Sequence, residues 1–471
     1  MKTCAALQIA LKFNGCVETF SRFLTGGDNL KNRSECNIFP IITSAFLHLL
    51  VTLFLLWCGT SGYEGIADAK HRMFYVICGG YIFVIMVVAI ELAIVNGEVR
   101  LDLIEILRKA SWTQRFVVIY ILVTWGSAIC SEFFPDTIWG TSRYEGALTI
   151  TIYGMCFLLV STYGKVSKSL LFSFGIAVSV FSLLCLAQLT GSNIFFLYPE
   201  GYNYFGAYEK YAGSFLGTIG NVDLVAAFLS IAIPIMWIGL LRIKGKEKLW
   251  LSVPLIVSFI VLLKMNVLAG IVGVFVGSII ATPVVLRISR KKKLLIIAAI
   301  GICAILGVFL LYTKDIKSGF FYEMHQILHG NWDDSFGSGR IHIWKHVLKE
   351  IPANFLLGSG PDTMLYAEID AFVRYDEILG TIIVSQIDVA HNEYLNVLYH
   401  QGVLGLISYM SILISLTNLW LKESPNNTVV AILGGAALCY CVQAFFGFSM
   451  YITAPFIWII LALLEKYSKK E

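Results

Sequence analysis

The stretch RISRKKKLLIIAAIGICAILGVFLLYT (residues 287–313) decides the class of fold. A basic cluster precedes an apolar run of about 20 residues, the length that an α-helix needs to cross a bilayer. Similar runs recur along the 471-residue chain, which is 57% hydrophobic and 14% charged, with a mean hydropathy of +0.76. Soluble domains carry about 25% charged residues, so these values exclude that class. The sequence therefore predicts an all-α, polytopic membrane protein.

The apolar runs predict about 12 transmembrane helices, which leaves both termini on one side of the membrane. Loops on that side hold most of the 35 Lys and Arg residues, so the positive-inside rule predicts that both termini are cytoplasmic. The basic runs are topology signals in this interpretation, and no nucleic-acid partner is predicted. The spans are drawn at 38–58, 73–95, 115–133, 146–163, 168–189, 220–241, 247–263, 266–286, 293–313, 391–420, 427–445 and 448–465.

This pattern divides the chain into five predicted segments. Residues 1–37 form a cytoplasmic N-terminal arm without a cleavable signal peptide, because the arm has no continuous apolar core or cleavage site. The remaining segments are spans 1–9 at 38–313, a large external loop at 314–390, spans 10–12 at 391–465 and a cytoplasmic tail at 466–471.

The large loop is too long for a plain connector, and it shows helical periodicity. Arg340, Trp344, Val347 and Ile351 recur at i, i+4, i+7 and i+11, which predicts one face of a helix. The run Gly-Ser-Gly at 337–339 precedes that helix. Free N–H groups at a helix start, together with an arginine fork, can bind an anion. The alternative is that the serine only caps the helix and Arg340 is a solvated surface residue.

The stretch DVAHNEYLNVLYHQGVLG (residues 388–405) brings polar groups to the predicted external edge of a span. If the helix begins at His391, this residue shares a face with four small or apolar residues, which are Leu395, Leu398, Gly402 and Gly405. His391 can then accept a proton from a hydroxyl at neutral pH, or it can simply be an interfacial cap. Asp388 is predicted to be the N-cap, with Asn392 and Glu393 as supporting polar residues.

Earlier predicted external segments add Arg143, Asn221 and Asp223. Arg143 is the single arginine of its loop, while Asn221 and Asp223 begin an apolar helix. Ionisable groups at a membrane edge are functional candidates, with helix caps and interface anchors as the alternative. The chain has no HExxH, DxD or nucleotide-binding glycine pattern, and its 11 cysteines show no metal-ligand spacing. We therefore predict no metal and no cofactor.

Two long stretches carry a family resemblance. These are GSGRIHIWKHVLKEIPANFLLGSGPDTM and AHNEYLNVLYHQGVLGL, preceded by WGTSRYEGAL and LGTIGNVDLVAAFLSIAIP. Their order and spacing resemble the bacterial O-antigen ligase/O-antigen polymerase superfamily. The resemblance implies a GT-C-like, metal-independent glycosyltransferase in the cell membrane. Such an enzyme takes a glycan from undecaprenyl diphosphate at the external face and transfers it to a glycan or lipid acceptor.

The resemblance also implies roles for particular residues. Arg340 would hold the diphosphate leaving group, His391 would act as general base, and Arg143 would be a second candidate for binding the diphosphate. Further substrate-binding residues would be Lys210, Asn221, Trp344, Asn392 and Glu393. The chain departs from the superfamily at two points: Lys210 stands where many members have an arginine, and the usual Asn-Pro-Asn reads Asn-Val-Asp at 221–223.

Three alternatives stay open at this point. A ligase and a polymerase of the same superfamily both need diphosphate capture and an activated hydroxyl. A lipid-linked glycan transporter would instead show polar groups at mid-membrane and related halves, which the sequence does not show. A non-enzymatic partner in an envelope complex is the third.

Overall fold

The computed structural model describes residues 38–96, 108–206, 213–367, 369–376 and 381–469. The chain divides into two compact units, Met1–Ile41 and Ile42–Glu471. In the first unit, the described residues are the first turn of a helix. The predicted arm at 1–37 and the candidate Lys210 lie outside the described residues.

Helices make up most of the described chain, as the sequence predicts. The longer ones are α1 (Ile38–Leu49), α2 (Ile66–Phe74), α3 (Gly80–Asn96), α4 (Trp112–Cys130), α5 (Ala147–Tyr163), α6 (Lys168–Gln188), α7 (Val222–Arg242), α8 (Ser252–Met265), α9 (Leu268–Val285), α10 (Arg290–Thr313), α11 (Phe320–Leu328), α12 (Arg340–Glu350), α13 (Glu393–Glu423), α14 (Thr428–Ala444) and α15 (Ala454–Ser468).

Eight helices of the described ranges are long and apolar enough to cross a membrane, and three shorter apolar helices accompany them. The class of polytopic membrane protein is thus confirmed, while the count of about 12 spans and the GT-C-like arrangement stay predictions. The helix α10 has no buried residue, which suits a helix that faces lipid. In contrast, 83% of the residues in an 18-residue apolar stretch of α7 are buried, so α7 lies at the centre of the bundle.

Short strands interrupt the predicted all-α fold. The strands β1 (Phe215–Leu216) and β2 (Gly220–Asn221) pair just before α7. The strands β3 (Phe372–Asp376) and β4 (Thr381–Ser385) form an antiparallel pair within the long loop. Neither pair was predicted from the sequence, because strands of two to five residues leave little periodic signal.

The long loop packs on the start of α13 through a small apolar core. The helix predicted from the periodicity is present as α12, and Val347 on its predicted face is fully buried. The core residues are Ile343, Val347, Met364, Ile387, Ala390 and Tyr399, with Trp344, Ala367, Ile369 and Leu395 against them. This core fixes α12 against the segment that carries His391.

A break in the backbone of α13 lets the same loop form further hydrogen bonds with this helix. Gly402 adopts φ 65° and ψ −168°, which interrupts the helical hydrogen bonds. The freed groups pair with residues 355–360: Ser359 N donates to Tyr399 O at 2.9 Å, and Val403 N donates to Phe355 O at 2.9 Å. A Cβ at Gly402 would collide with the Leu356 carbonyl, so only glycine fits here.

Candidate functional site

Arg143 and Asp388 form a two-point ion pair between distant parts of the chain. Arg143 Nε and Nη2 donate to the two Asp388 carboxylate oxygens at 2.7 and 2.9 Å. Burial alone would lower the pKa of Arg143, but the hydrogen bond and charge of Asp388 raise it, so the guanidinium stays charged. The predicted role of Asp388 as an N-cap is therefore wrong, since its carboxylate binds Arg143 instead.

A buried carboxylate holds the Arg143 loop in shape. Asp362 Oδ2 accepts the backbone N–H groups of Thr141 at 2.6 Å and Arg143 at 3.0 Å. Burial raises the pKa of Asp362, and these hydrogen bonds oppose the rise. Asp362 comes from the GSGPDTM turn, so the long loop positions Arg143 through backbone contacts.

His391 lies outside the helix that follows it. Its φ is 46°, and α13 begins two residues later at Glu393. The prediction that His391 and Gly405 share one helix face is therefore wrong. The helix also breaks at Gly402, between these two residues. The imidazole stands perpendicular to the Phe448 ring with centroids 5.2 Å apart.

The charge state of His391 follows from its surroundings. Burial lowers its pKa from 6.5 to about 4, Asp223 opposes this shift, and Arg340 and Arg143 add to it. The imidazole is therefore neutral at pH 7 and can accept a proton. Its Nδ1 is buried without a hydrogen-bond partner and lies 3.8 Å from Asp223 Oδ2.

Arg340 begins α12 after a sharp left-handed turn. Gly337, Ser338 and Gly339 all have positive φ, at 63°, 59° and 84°. The N-cap is Gly339, and no side chain caps the helix, so capping by Ser338 is wrong. Arg340 Nη1 donates to Gly337 O at 2.8 Å, and Nε donates to Phe446 O at 3.1 Å.

Asp223 connects the second arginine to the histidine. Its Oδ1 lies 4.0 Å from Arg340 Nη2, while its Oδ2 faces His391. Asn221 is the N-cap of α7, and its side chain accepts the N–H of Asp223 at 2.8 Å. The capping alternative thus holds for Asn221, which sets Asp223 in the first helical turn.

Phe448 joins the two halves of the cluster, because its ring contacts both the guanidinium of Arg143, 4.9 Å from the centroid, and the imidazole of His391. We call the set Arg143, Asp388, Phe448, His391, Asp223 and Arg340 the arginine–histidine cluster. Phe448 was not predicted as a site residue, because it lies in an irregular segment that the apolar pattern predicts to be helical.

Trp344 and Asn392 support the backbone around His391. Trp344 Nε1 donates to Ala390 O at 2.9 Å. Asn392 is the true N-cap of α13, and its side chain accepts the N–H of Leu395 at 3.0 Å. Both residues therefore use their polar atoms within the protein, directly beside His391.

Glu393 points away from the cluster into the helix bundle. Its carboxylate accepts the hydroxyls of Tyr409 and, at 2.8 Å, Tyr440. It lines a cavity of about 60 Å³ together with Glu145, whose pKa burial raises well above its usual value. The structure thus separates Glu393 from Arg143, Arg340 and His391.

No group of three or more His, Cys, Asp or Glu residues in the described ranges is placed to hold a metal ion. The cations of the arginine–histidine cluster are instead two guanidinium groups with carboxylate partners. These guanidiniums are the groups in the cluster that can stabilise a phosphate anion.

Fold and site together define a class: a multi-pass helical membrane protein with two arginines and a neutral histidine at the end of the bundle. Residues 253–410 match a family model described as O-antigen ligase. The match confirms the resemblance to the O-antigen ligase/polymerase superfamily. It includes Arg340, Asp388 and His391, whereas Arg143 and Asp223 lie before it. No curated protein matches the chain.

Proposed function

We propose that the protein is a metal-independent glycosyltransferase that transfers or polymerises a glycan from undecaprenyl diphosphate onto an acceptor hydroxyl. The observation that carries the proposal is a neutral His391 beside two charged arginines, in a chain with an O-antigen ligase match. In this proposal the cluster faces the outside of the cell membrane, and both termini are cytoplasmic.

The leaving group carries the charge that the two arginines would stabilise. When the bond between the sugar and the diphosphate breaks, negative charge grows on the bridging oxygen. Guanidinium groups fixed before the reaction stabilise that charge without reorganisation. Arg340 is held by two backbone carbonyls and Arg143 by Asp388, so each fork has a defined orientation.

His391 would take the proton of the attacking hydroxyl. The hydroxyl oxygen forms the new bond to the sugar carbon while the diphosphate leaves from the opposite face. A neutral imidazole can accept the proton, and its perpendicular contact with Phe448 restricts its rotation. A diphosphate nearby adds negative charge, which raises the pKa of the imidazole and strengthens it as a base.

We assign positioning to three residues that were predicted to bind substrate. Asn221 and Asn392 cap helices, and Trp344 bonds the backbone before His391. Glu393 is bonded to two tyrosines inside the bundle, so we assign it a structural role in place of the predicted substrate contact. Lys210 stays a predicted donor ligand outside the described residues.

A labelled undecaprenyl-diphosphate glycan, incubated with the purified protein and candidate acceptors, tests the proposal. A ladder of products indicates a polymerase, and a single transfer indicates a ligase. No covalent product, together with movement of the lipid-linked glycan across vesicles, would favour a transporter. Absence of both would favour a non-enzymatic partner.

Arg340→Ala and His391→Ala test the site itself. Loss of a general base costs about 10²–10⁴ in rate, and loss of a charge-stabilising donor costs about 10²–10³. The matched controls are Lys345→Ala, an exposed cation on the same helix, and His329→Ala, an exposed histidine of the loop. Full activity in both cluster variants would rule out the proposed site.

A further inference from the structure

Asp223 occupies the point between the proposed base and the proposed leaving-group ligand. Its carboxylate oxygens lie 3.8 Å from His391 Nδ1 and 4.0 Å from Arg340 Nη2. Both separations exceed a hydrogen bond of about 2.9 Å, so a displacement of about 1 Å completes either contact. The side chain is 22% exposed and lies on the first turn of α7.

The imidazole lacks one partner that a base of this kind needs. His391 Nδ1 is buried and unbonded, and an unpaired buried polar atom is costly. A carboxylate that accepts from Nδ1 fixes the tautomer and leaves Nε2 free to take a proton. The charged groups that face His391 are Asp223, Arg340, Arg143 and Asp388. Asp388 is already engaged by Arg143, which leaves Asp223 available.

We propose that Asp223 is a positioning residue that serves its two neighbours in turn. Without donor, its carboxylate neutralises Arg340. When a diphosphate binds Arg340, the Asp223 carboxylate accepts a hydrogen bond from His391 Nδ1–H and orients the imidazole. This inference rests on the proposed function and adds a residue that the superfamily pattern, with asparagine at this position, does not supply.

Charge balance through the reaction supports this role. The proton of the acceptor hydroxyl moves to His391 Nε2, the new bond joins that oxygen to the sugar carbon, and the diphosphate leaves with the old bonding pair. The imidazole becomes a cation at that moment. The Asp223 carboxylate beside Nδ1 stabilises this cation.

Asp223→Asn and Asp223→Glu test the inference, with Asp370→Asn as the control for loss of an exposed acid. Nitrogen NMR of the histidine-labelled full-length protein reports the tautomer and pKa of His391, which is assigned by comparison with His391→Gln. We expect the Nδ1–H tautomer in the unchanged protein when undecaprenyl diphosphate is bound. The pKa of His391 should fall in Asp223→Asn, recover in Asp223→Glu, and stay constant in the control.

Transfer kinetics provide a second readout. Asp223→Asn should lower kcat at least tenfold while the donor KM falls, because Arg340 loses a competing carboxylate. General damage to the site would raise KM instead and overturn the inference. An Nε2–H tautomer in the unchanged protein with bound undecaprenyl diphosphate would also overturn it, and this measurement stands even if Asp223→Asn fails to fold.

The two proposals fail in different ways. If the unchanged protein makes no glycan product but the pKa of His391 depends on residue 223 as expected, the placement of Asp223 stands and the proposed function is wrong. If transfer occurs and Asp223→Asn leaves the tautomer, the pKa and the kinetics unchanged, the function stands and the role of Asp223 is wrong.

Discussion

The substitution Asp388→Asn separates two roles that the sequence allows for this residue. If Asp388 capped a helix, asparagine would replace it with little loss, because the two are nearly equivalent N-caps. If Asp388 is instead the partner of Arg143, an asparagine at this position keeps one acceptor oxygen but loses the negative charge and one of the two hydrogen bonds. The structure therefore predicts a clear loss of stability.

The size of the loss follows from the geometry of the pair. Hydrogen bonds to charged groups contribute about 1.5–3 kcal/mol each. The side chains of Arg143 and Asp388 are 26% and 23% exposed, so solvent screens them only in part. We expect Asp388→Asn to lower the free energy of unfolding by about 1.5–3 kcal/mol. Unfolding in mixed micelles with increasing denaturing detergent measures this difference.

The true helix cap gives the matched control. Asn392→Ser, which keeps an uncharged capping oxygen, should leave stability almost unchanged, and Asn392→Ala should cost about 1 kcal/mol. The reasoning is refuted if Asp388→Asn stays within about 0.5 kcal/mol of the unchanged protein while Asp388→Ala costs about 1 kcal/mol, since this is the behaviour of a cap. A double substitution with Arg143→Ala should show that the two residues are coupled.

Three further predictions concern the helix break at Gly402, the buried Glu393 and the pH dependence of stability. Gly402→Ala should cost at least about 1–2 kcal/mol for its left-handed backbone alone, and more for the collision with the loop, whereas Gly307→Ala on open helix surface should be neutral or stabilising in thermal unfolding. Glu393→Ala should lower the melting temperature more than Glu393→Gln, because it leaves two buried tyrosine hydroxyls unpaired; equal losses would contradict this. The folded pKa of His391 is about 4 against 6.5 unfolded, so stability should fall as pH drops from 6.5 towards 4, and His391→Gln should flatten that fall.

Sequence patterns predicted the helices that follow from local apolar composition or periodicity. The apolar run at 293–313 is present as Arg290–Thr313, and the loop helix predicted around Trp344 is present as Arg340–Glu350. The span predicted at 448–465 instead begins at Ala454. Apolar composition alone does not show that the residues before it leave the helix and bring Phe448 to the cluster.

The site could be predicted only where the chemistry is local. Arg340 and His391 stand out because glycines or an apolar helix flank them in the sequence. Asp362 and Asp388 act on Arg143 across 219 and 245 residues, and such long-range contacts leave no periodic trace. The predicted capping role of Asp388 is wrong because an aspartate shortly before the predicted helix start at 391 also fits a capping pattern.

The break at Gly402 has a consequence for how the protein is assembled in the cell. Helix α13 leaves peptide groups unpaired at this point, and residues 355–360 satisfy them. Unpaired peptide groups are costly in lipid, so the hydrogen bonds of α13 are complete only when the preceding loop is docked on it. Folding of the loop and folding of α13 are thereby coupled, because a chain whose loop is undocked retains a helix with unpaired peptide groups at Gly402.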